Sequence, residues 1–321
     1  MGEPATGADR RARILVLGSL NMDVVVRVAR VPAGGETIDG RSMGYALGGK
    51  GANQAVSCAR QGAQVALFGA LGDDAHGEAL RQGLQRDGVE LAGIQVAAGQ
   101  PSGSALVLVD DAGQNRIVVI PGANALFDLA CAPLAAHLAS TDFLVLQFET
   151  PLPQVLQAMA LAQASGTRVL LNPSPAQALP DSAWSLVDTL VVNEGEAAVL
   201  SGQPAADVPQ AMQAAHALLG RGVRRVVVTL GERGAVAADA AGCRHHAAVT
   251  VPRVVDTTAA GDTFLGALAV LLAEGRSLDE AVQWGIRAAA LCIQVAGAQP
   301  SIPTRAAVAR SPVPSSRTSS P

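Results

Sequence analysis

The sequence predicts an α/β fold, a doubly wound and mostly parallel sheet with helices on both faces. Three observations point to it. Short β-branched runs alternate with Ala-rich stretches of helical length, the pattern of strands joined by helical crossovers. Runs such as Val226-Val-Val228 are apolar at every position, which suits strands buried on both sides. Hydrophobic residues make up 49% of 321 positions, enough for a sizeable core, and α/β domains often reach this length as one unit.

Taken in chain order, strands are expected at 14–17, 65–68, 143–146, 169–171, 190–192 and 226–229. Helices fill 51–61, 75–86, 153–164, 209–219, 260–273 and 278–295 between and after them. Two regions break the alternation. Residues 23–30 with 37–45, and 103–110 with 116–120, read as strand pairs without an intervening helix, with Asp111-Ala-Gly113 as the turn of the second pair. Spacing alone gives two hairpin-like insertions. The domain is expected over 13–305. Residues 1–12 are polar and lack the apolar stretch of a secretory signal, so they read as a disordered lead-in. Residues 306–321 form the C-terminal end, with a Ser/Pro-rich, disordered tail from 311.

Composition excludes several classes. A net charge of −4 offers no basic footprint for nucleic acid or an anionic membrane, and 2% aromatic residues offer few stacking platforms for bases. Mean hydropathy is positive, yet every apolar run is interrupted before the roughly 18 residues of a membrane span. The longest, 264–273, reads as a core helix. Cysteines 58, 131, 243 and 292 fit no metal-ligand spacing or disulfide framework and read as reduced, mostly buried thiols of a cytoplasmic protein. The histidines are too scattered to form a catalytic or metal cluster.

The chemistry concentrates at Asp256-Thr-Thr-Ala-Ala-Gly-Asp262, running into the apolar stretch from Thr263. Small residues at Ala259, Ala260 and Gly261 let successive backbone N–H groups share one concavity, to which a helix starting there adds its positive dipole end. Such a place binds phosphate. A carboxylate at Asp262, on the first turn, could accept the proton of an attacking hydroxyl beside it. The competing reading is a plain helix start with an acidic first turn.

A second segment, Gly48-Gly-Lys-Gly-Ala-Asn53, holds the only lysine of the chain. With Gly44 it matches the first part of a nucleotide-triphosphatase phosphate loop, but Gly51 stands where a Ser or Thr should bind magnesium, so that reading fails. Glycines here would let a polyol approach the backbone while Lys50 and Asn53 bond its hydroxyls; a flexible turn before a helix is the alternative.

In these and further landmarks the chain resembles the ribokinase-like carbohydrate kinase family, from about Ile14 to Pro303. The landmarks are Gly18-Ser-Leu-Asn-Met-Asp23, PAGGET from Pro32, GGKGANQA from Gly48, Gly72-Asp-Asp74, Gly122-Ala-Asn124, Glu149-Thr-Pro151 and Asn172-Pro-Ser-Pro175. They continue with Asn193-Glu-Gly-Glu196, TLGERG from Thr229, Asp256 to Phe264 and Gly297-Ala-Gln-Pro-Ser301. Their order and spacing, more than any one of them, carry the likeness.

The resemblance implies ATP-dependent phosphorylation of D-ribose at its 5-hydroxyl, with Asp262 as base and Ala259, Ala260 and Gly261 as the anion hole. It implies that Asn21, Asp23, Gly49, Lys50, Asn53, Glu149, Asp256 and Asp262 contact the pentose. Glu149 alone would read as a surface residue between prolines. ATP would be held by Asn193, Thr229, Gly231, Gly234 and Gly261, where a hairpin turn after Thr229 is the alternative. Asn193 and Glu196 would hold Mg²⁺ indirectly through water, although their spacing equally spells a capping box. K⁺ would be ligated by Asp256, Thr258, Cys292, Val295, Gly297 and Ser301. The hairpin insertions would form a small β-sheet lid and a homodimer interface. Gly285 departs from the pattern, since a polar residue is expected there against the nucleotide base; helix 286–295 would cover that pocket, and Arg287 could be only a solvated charge. Alternatives are a kinase of the same family for another sugar or a nucleoside, and a non-catalytic sugar-binding regulator.

Overall fold

The computed structural model describes residues 11–112 and 114–311. The expectations for residues 1–10, for Gly113 in the turn and for the tail beyond 311 lie outside those residues.

The first half of the chain comprises β1 (Arg13–Leu17), β2 (Asn21–Val28), β3 (Gly40–Gly48), α1 (Lys50–Arg60), β4 (Gln64–Gly72), α2 (Ala75–Arg86), β5 (Glu90–Ala97), β6 (Gly103–Val109), β7 (Asn115–Ile120), α3 (Leu134–Leu138) and β8 (Phe143–Leu146). The second half comprises α4 (Leu152–Ala164), β9 (Arg168–Leu171), α5 (Asp181–Trp184), β10 (Thr189–Asn193), α6 (Glu194–Ser201), α7 (Val208–Leu219), β11 (Arg225–Thr229), β12 (Ala235–Asp239) and β13 (Gly242–His246). It ends with α8 (Ala260–Ala273), α9 (Leu278–Cys292) and α10 (Arg305–Arg310).

Nine strands form one sheet in the order β13-β12-β11-β10-β9-β8-β1-β4-β5, parallel from β5 to β11. Only β12 and β13 run antiparallel at one edge. The doubly wound prediction holds because the central strands are apolar on both faces. Ile14 and Val16 join the core layer that contains α1 and α8, while Leu15 and Leu17 join the opposite layer with α4 and α7. Every expected strand and helix is present within a few residues. Helix α9 stops at Cys292 rather than 295. Strand β5 was not foreseen. It lies at an edge with Gly93 as its one buried residue, against which the Phe68 ring packs.

The two hairpins exist, and the structure joins them. Strands β2 and β3 pair antiparallel, β6 and β7 pair antiparallel, and β2 pairs with β6 in parallel, giving one four-stranded sheet beside the body. The parallel link is a non-local contact that spacing could not show. At the ends, Ala12 is buried and α10 packs with Val308 fully buried, so the ordered body extends past both expected limits of 13–305. Cys58 and Cys292 are buried as expected, but Cys131 is exposed and Cys243 half-buried. No helix among the described residues is long and apolar enough to cross a membrane.

Candidate active site

Strand β1 pairs with β4 on one side and β8 on the other. Strand order reverses there, and in open α/β sheets ligands collect beyond the carboxyl ends at such a point. Gly18 to Asn21 leave β1 at this crevice, and Gln147 to Glu149 leave β8 beside them. Ser19 donates its hydroxyl to Glu149, whose Oε2 also accepts the Lys50 N–H at 3.3 Å. Glu149 is therefore held in the site rather than lying free on the surface. Gly49 takes φ +89, and a Cβ there would come within 2.6 Å of the Asn21 N, so only glycine lets α1 start this close to β2.

Asn21, Lys50 and Glu149 line one recess of about 640 Å³. Lys50 also lines a second, of about 230 Å³, with Asn193, Glu196, Thr229 and Ala259 to Asp262. Burial acts to depress the Lys50 ammonium, but Asp262, Glu149 and Glu196 outweigh it and hold it above its ordinary value. Asp23, beside the same group, has its carboxyl pushed up to about 7 by burial, with Glu149 and Asp262 adding to the rise.

Asp262 sits on the first turn of α8 and is 8% exposed. Asn53 Nδ2 donates to its Oδ2 at 3.0 Å, and Gln54 Nε2 donates to its Oδ1 at 2.9 Å. Asn53 Oδ1 is buried without a partner among the described residues, which leaves an acceptor for a ligand hydroxyl.

The anion cradle is built by backbone. Ala259 has φ 60 and ψ 9, the one positive-φ residue other than glycine among those described. This costs on the order of 1 kcal/mol and turns the chain sharply into α8. No side chain caps that helix, and the N–H groups of Gly261 and Asp262 have no acceptor among the described residues. A Cβ at Gly261 would meet nothing within 4 Å, so the space ahead of these donors is open. Free N–H groups at a helix start facing open space are suited to phosphate.

A third recess, of about 720 Å³, shares Thr229, Ala260 and Gly261 with the second. Gly231 and Gly234 line it on one side, and Phe264, Ile286, Ala289 and Ile293 make an apolar slot on the other. Helix α9 thus covers this pocket as expected. Gly285 does not line it. A Cβ there would lie 2.8 Å from the Phe264 ring, so the missing side chain lets α9 close on α8. Arg287 is no solvated charge: its guanidinium bonds the carbonyls of Val308 and Ser311 and fixes α10.

The capping-box reading of Asn193 and Glu196 holds. They form the capping box of α6, Asn193 Oδ1 accepting from Glu196 N at 2.8 Å and Glu196 Oε2 from Asn193 N at 3.0 Å. Glu196 Oε1 accepts no hydrogen bond among the described residues, and the pair lines the second recess. That free oxygen fits a water shell of magnesium.

Asp256, like Asp23, lies outside the recess lined by Asn21, Lys50 and Glu149, and its oxygens are taken up by its own neighbours. Its Oδ1 accepts the N–H and hydroxyl of Thr258, at 2.9 and 2.6 Å, and its Oδ2 accepts the Gly297 N–H at 2.9 Å. Burial alone would raise its carboxyl, but these donors hold it below the ordinary value. It lines a separate recess with Asp23, not the one holding Asn21 and Glu149. Of the expected K⁺ ligands, Thr258 and Gly297 bond Asp256 directly. The Cys292 thiol reaches the Thr258 carbonyl at 3.7 Å and the Ser301 hydroxyl at 3.0 Å, while the Val295 N–H bonds the Cys292 carbonyl. A carboxylate, carbonyls and a hydroxyl suit a hard monovalent cation.

Sequence reasoning missed Gln54, Gln147 and Asn124. Asn124 holds the Leu20 backbone at both its N–H and carbonyl, and donates to Asn21 Oδ1 at 2.8 Å. A signal existed: polar amides inside stretches that otherwise bury must find partners, and both Gln54 and Asn124 lie within landmarks of the resemblance.

A sequence profile of the pfkB family carbohydrate kinases matches residues 11–305. Ribokinase of Haemophilus influenzae is 39% identical over 296 residues, covering 92% of this chain and 96% of that protein. Ribokinase of Schizosaccharomyces pombe is 39% identical over 303 residues, covering 91% and 95%. Among solved structures, Arabidopsis thaliana ribokinase complexed with ribose and ATP is similar at a TM-score of 0.85 and 32% identity, covering 94% of this chain and 98% of that one.

Proposed function

The chain belongs to the pfkB family of carbohydrate kinases, and from that premise we propose that it phosphorylates D-ribose with ATP at the 5-hydroxyl, giving D-ribose 5-phosphate and ADP. The observation that carries this reading is the junction of three recesses. The nucleotide slot shares Gly261 with the cradle, and the cradle shares Lys50 with the polyol recess, so donor and acceptor meet at Asp262.

The chemistry is an in-line transfer without a covalent enzyme intermediate. The apolar slot of Phe264, Ile286 and Ile293 takes the adenine, and the turn at Thr229 to Gly234 takes the ribose and phosphates. Asn21, Asp23, Gly49, Lys50, Asn53 and Glu149 hold the pentose by its hydroxyls, where an ionised carboxylate can accept from two at once. Asp262 accepts the proton of the attacking hydroxyl, worth about 10²–10⁴-fold. The Gly261 and Asp262 N–H groups and the Lys50 ammonium face the charge that spreads over the transferring oxygens. Bound Mg²⁺ supplies further charge neutralisation, with Asn193 and Glu196 holding its water. Asp256 and the Thr258 carbonyl would hold K⁺, whose charge would help fix the turn into α8. In this reading Asp256 serves the cation site, with no direct contact to the pentose.

Strands β3 and β7 close a homodimer on this reading, supported by their exposed apolar side chains, and the scattered free thiols suit the cytoplasm.

The test is ADP release by the purified chain with D-ribose, 2-deoxyribose, fructose, adenosine and pseudouridine, each in K⁺ and in Na⁺. Turnover selective for D-ribose and faster in K⁺ is expected. Turnover with another acceptor alone would move the substrate, equal rates in the two salts would remove the cation, and none with any acceptor would contradict the kinase reading.

A further inference from the structure

Helix α1 buries two consecutive amides, Asn53 and Gln54, and both reach Asp262. Neither lines any of the three recesses; Asn53 keeps a trace of exposure at 5%, whereas Gln54 is fully buried. Its Oε1 accepts from Gln147 Nε2 at 2.5 Å, and Gln147 is itself fully buried just beyond β8. Asn172, beyond β9, offers its Oδ1 to Gln54 Nε2 at 3.5 Å and is fixed by donating to the Val191 carbonyl at 3.0 Å. A line of amides thus runs from the ends of two central strands to one carboxylate oxygen.

Its direction is fixed by chemistry. An ionised carboxylate only accepts, so Gln54 must present its NH₂ to Asp262. The Gln54 oxygen then faces Gln147, which must present its own NH₂ in turn. Gln147 Oε1 is left without a partner among the described residues, lying against Gly18, where a Cβ would collide with it. That unpaired buried oxygen is costly and stays at the far end of the relay, away from Asp262.

We propose that Gln54, oriented by Gln147, is a positioning residue that holds Asp262 with its proton-accepting oxygen aimed into the cradle. It touches neither substrate. It removes one of the two oxygens from competition and fixes the carboxylate plane, which Asn53 alone, with one bond, leaves free to rotate. A general base loses rate steeply when its geometry loosens, so the effect falls on kcat and spares sugar affinity. This inference rests on the assignment of Asp262 as base.

The test is a double-mutant cycle with Gln54→Met, which keeps volume and removes the donor. Gln54→Met is expected to lower kcat about 10-fold or more, with the D-ribose KM within about twofold. In an Asp262→Asn background the same change is expected to do nothing further to kcat. Gln147→Met, which frees the Gln54 amide to flip, should show the same split to a smaller degree, and serves if Gln54→Met fails to fold. Equal kcat losses in both backgrounds, a loss confined to KM, or wild-type kcat in a folded variant would overturn the proposal. Full activity of Asp262→Asn itself would overturn the base assignment along with it, whereas a crippled Asp262→Asn with an unaffected Gln54→Met would overturn the relay alone.

Discussion

At the residue scale the telling group is Asp23. Its carboxyl is raised from 3.8 to about 7, by burial first and then by Glu149 and Asp262. A carboxyl whose folded pKa is raised contributes stability that is complete below its unfolded value and is lost as pH climbs through the folded one. The window is therefore about pH 4 to 7. Asp23→Asn abolishes the penalty of a buried charge, so thermal melts should show the variant gaining on wild type from pH 4 to pH 7, then holding a constant margin to pH 8. The margin should exceed about 1 kcal/mol. A margin that stays constant from pH 4 to 8 would contradict the assignment. On the proposed function the destabilising carboxylate has a use: ionised, it would accept from sugar hydroxyls, and the cost in the free protein would be offset when ligand binds. Single residues that break a packing rule at a cleft are where function shows.

At the element scale the four-stranded sheet carries the next prediction. Across it, Tyr45, Val24, Leu106 and Val118 stand in one row, and Tyr45 and Val118 are each 60% exposed. Along β7, Ile117, Val118, Val119 and Ile120 are all exposed at an edge. A long apolar edge strand invites pairing, and a second copy of this chain would cover it. Sedimentation velocity should give a dimer for wild type and a monomer for the Ile117→Asp, Val118→Asp double variant. A wild-type monomer at micromolar concentration would contradict the interface. Elements were legible to different degrees for physical reasons. Central strands such as 226–229 announce themselves because both faces are apolar, and α8 because it is apolar throughout. Strand β5 and the β2–β6 pairing were not legible, since one is a half-open edge and the other a contact between residues some eighty positions apart. The turn into α8 was legible as small residues, but not that Ala259 would carry the left-handed conformation.

At the scale of the whole molecule, the sheet brings three recesses into line. Most proposed site residues were readable because they cluster in short motifs at strand ends, where open α/β sheets bind ligands. Asp256 shows the limit. Its motif placed it near Asp262 in sequence, yet hydrogen bonds to Thr258 and Gly297 turn it toward a different recess. Gln54 shows the other side: it lines none of the three recesses yet donates to the Asp262 carboxylate proposed as the base. The account converges on Asp262 as the base at the junction. The most direct measurement is the steady-state kcat and D-ribose KM of Asp262→Asn, with ribose binding followed by calorimetry. The account predicts kcat lower by about 10²–10⁴-fold with ribose affinity nearly intact; unchanged turnover would contradict it.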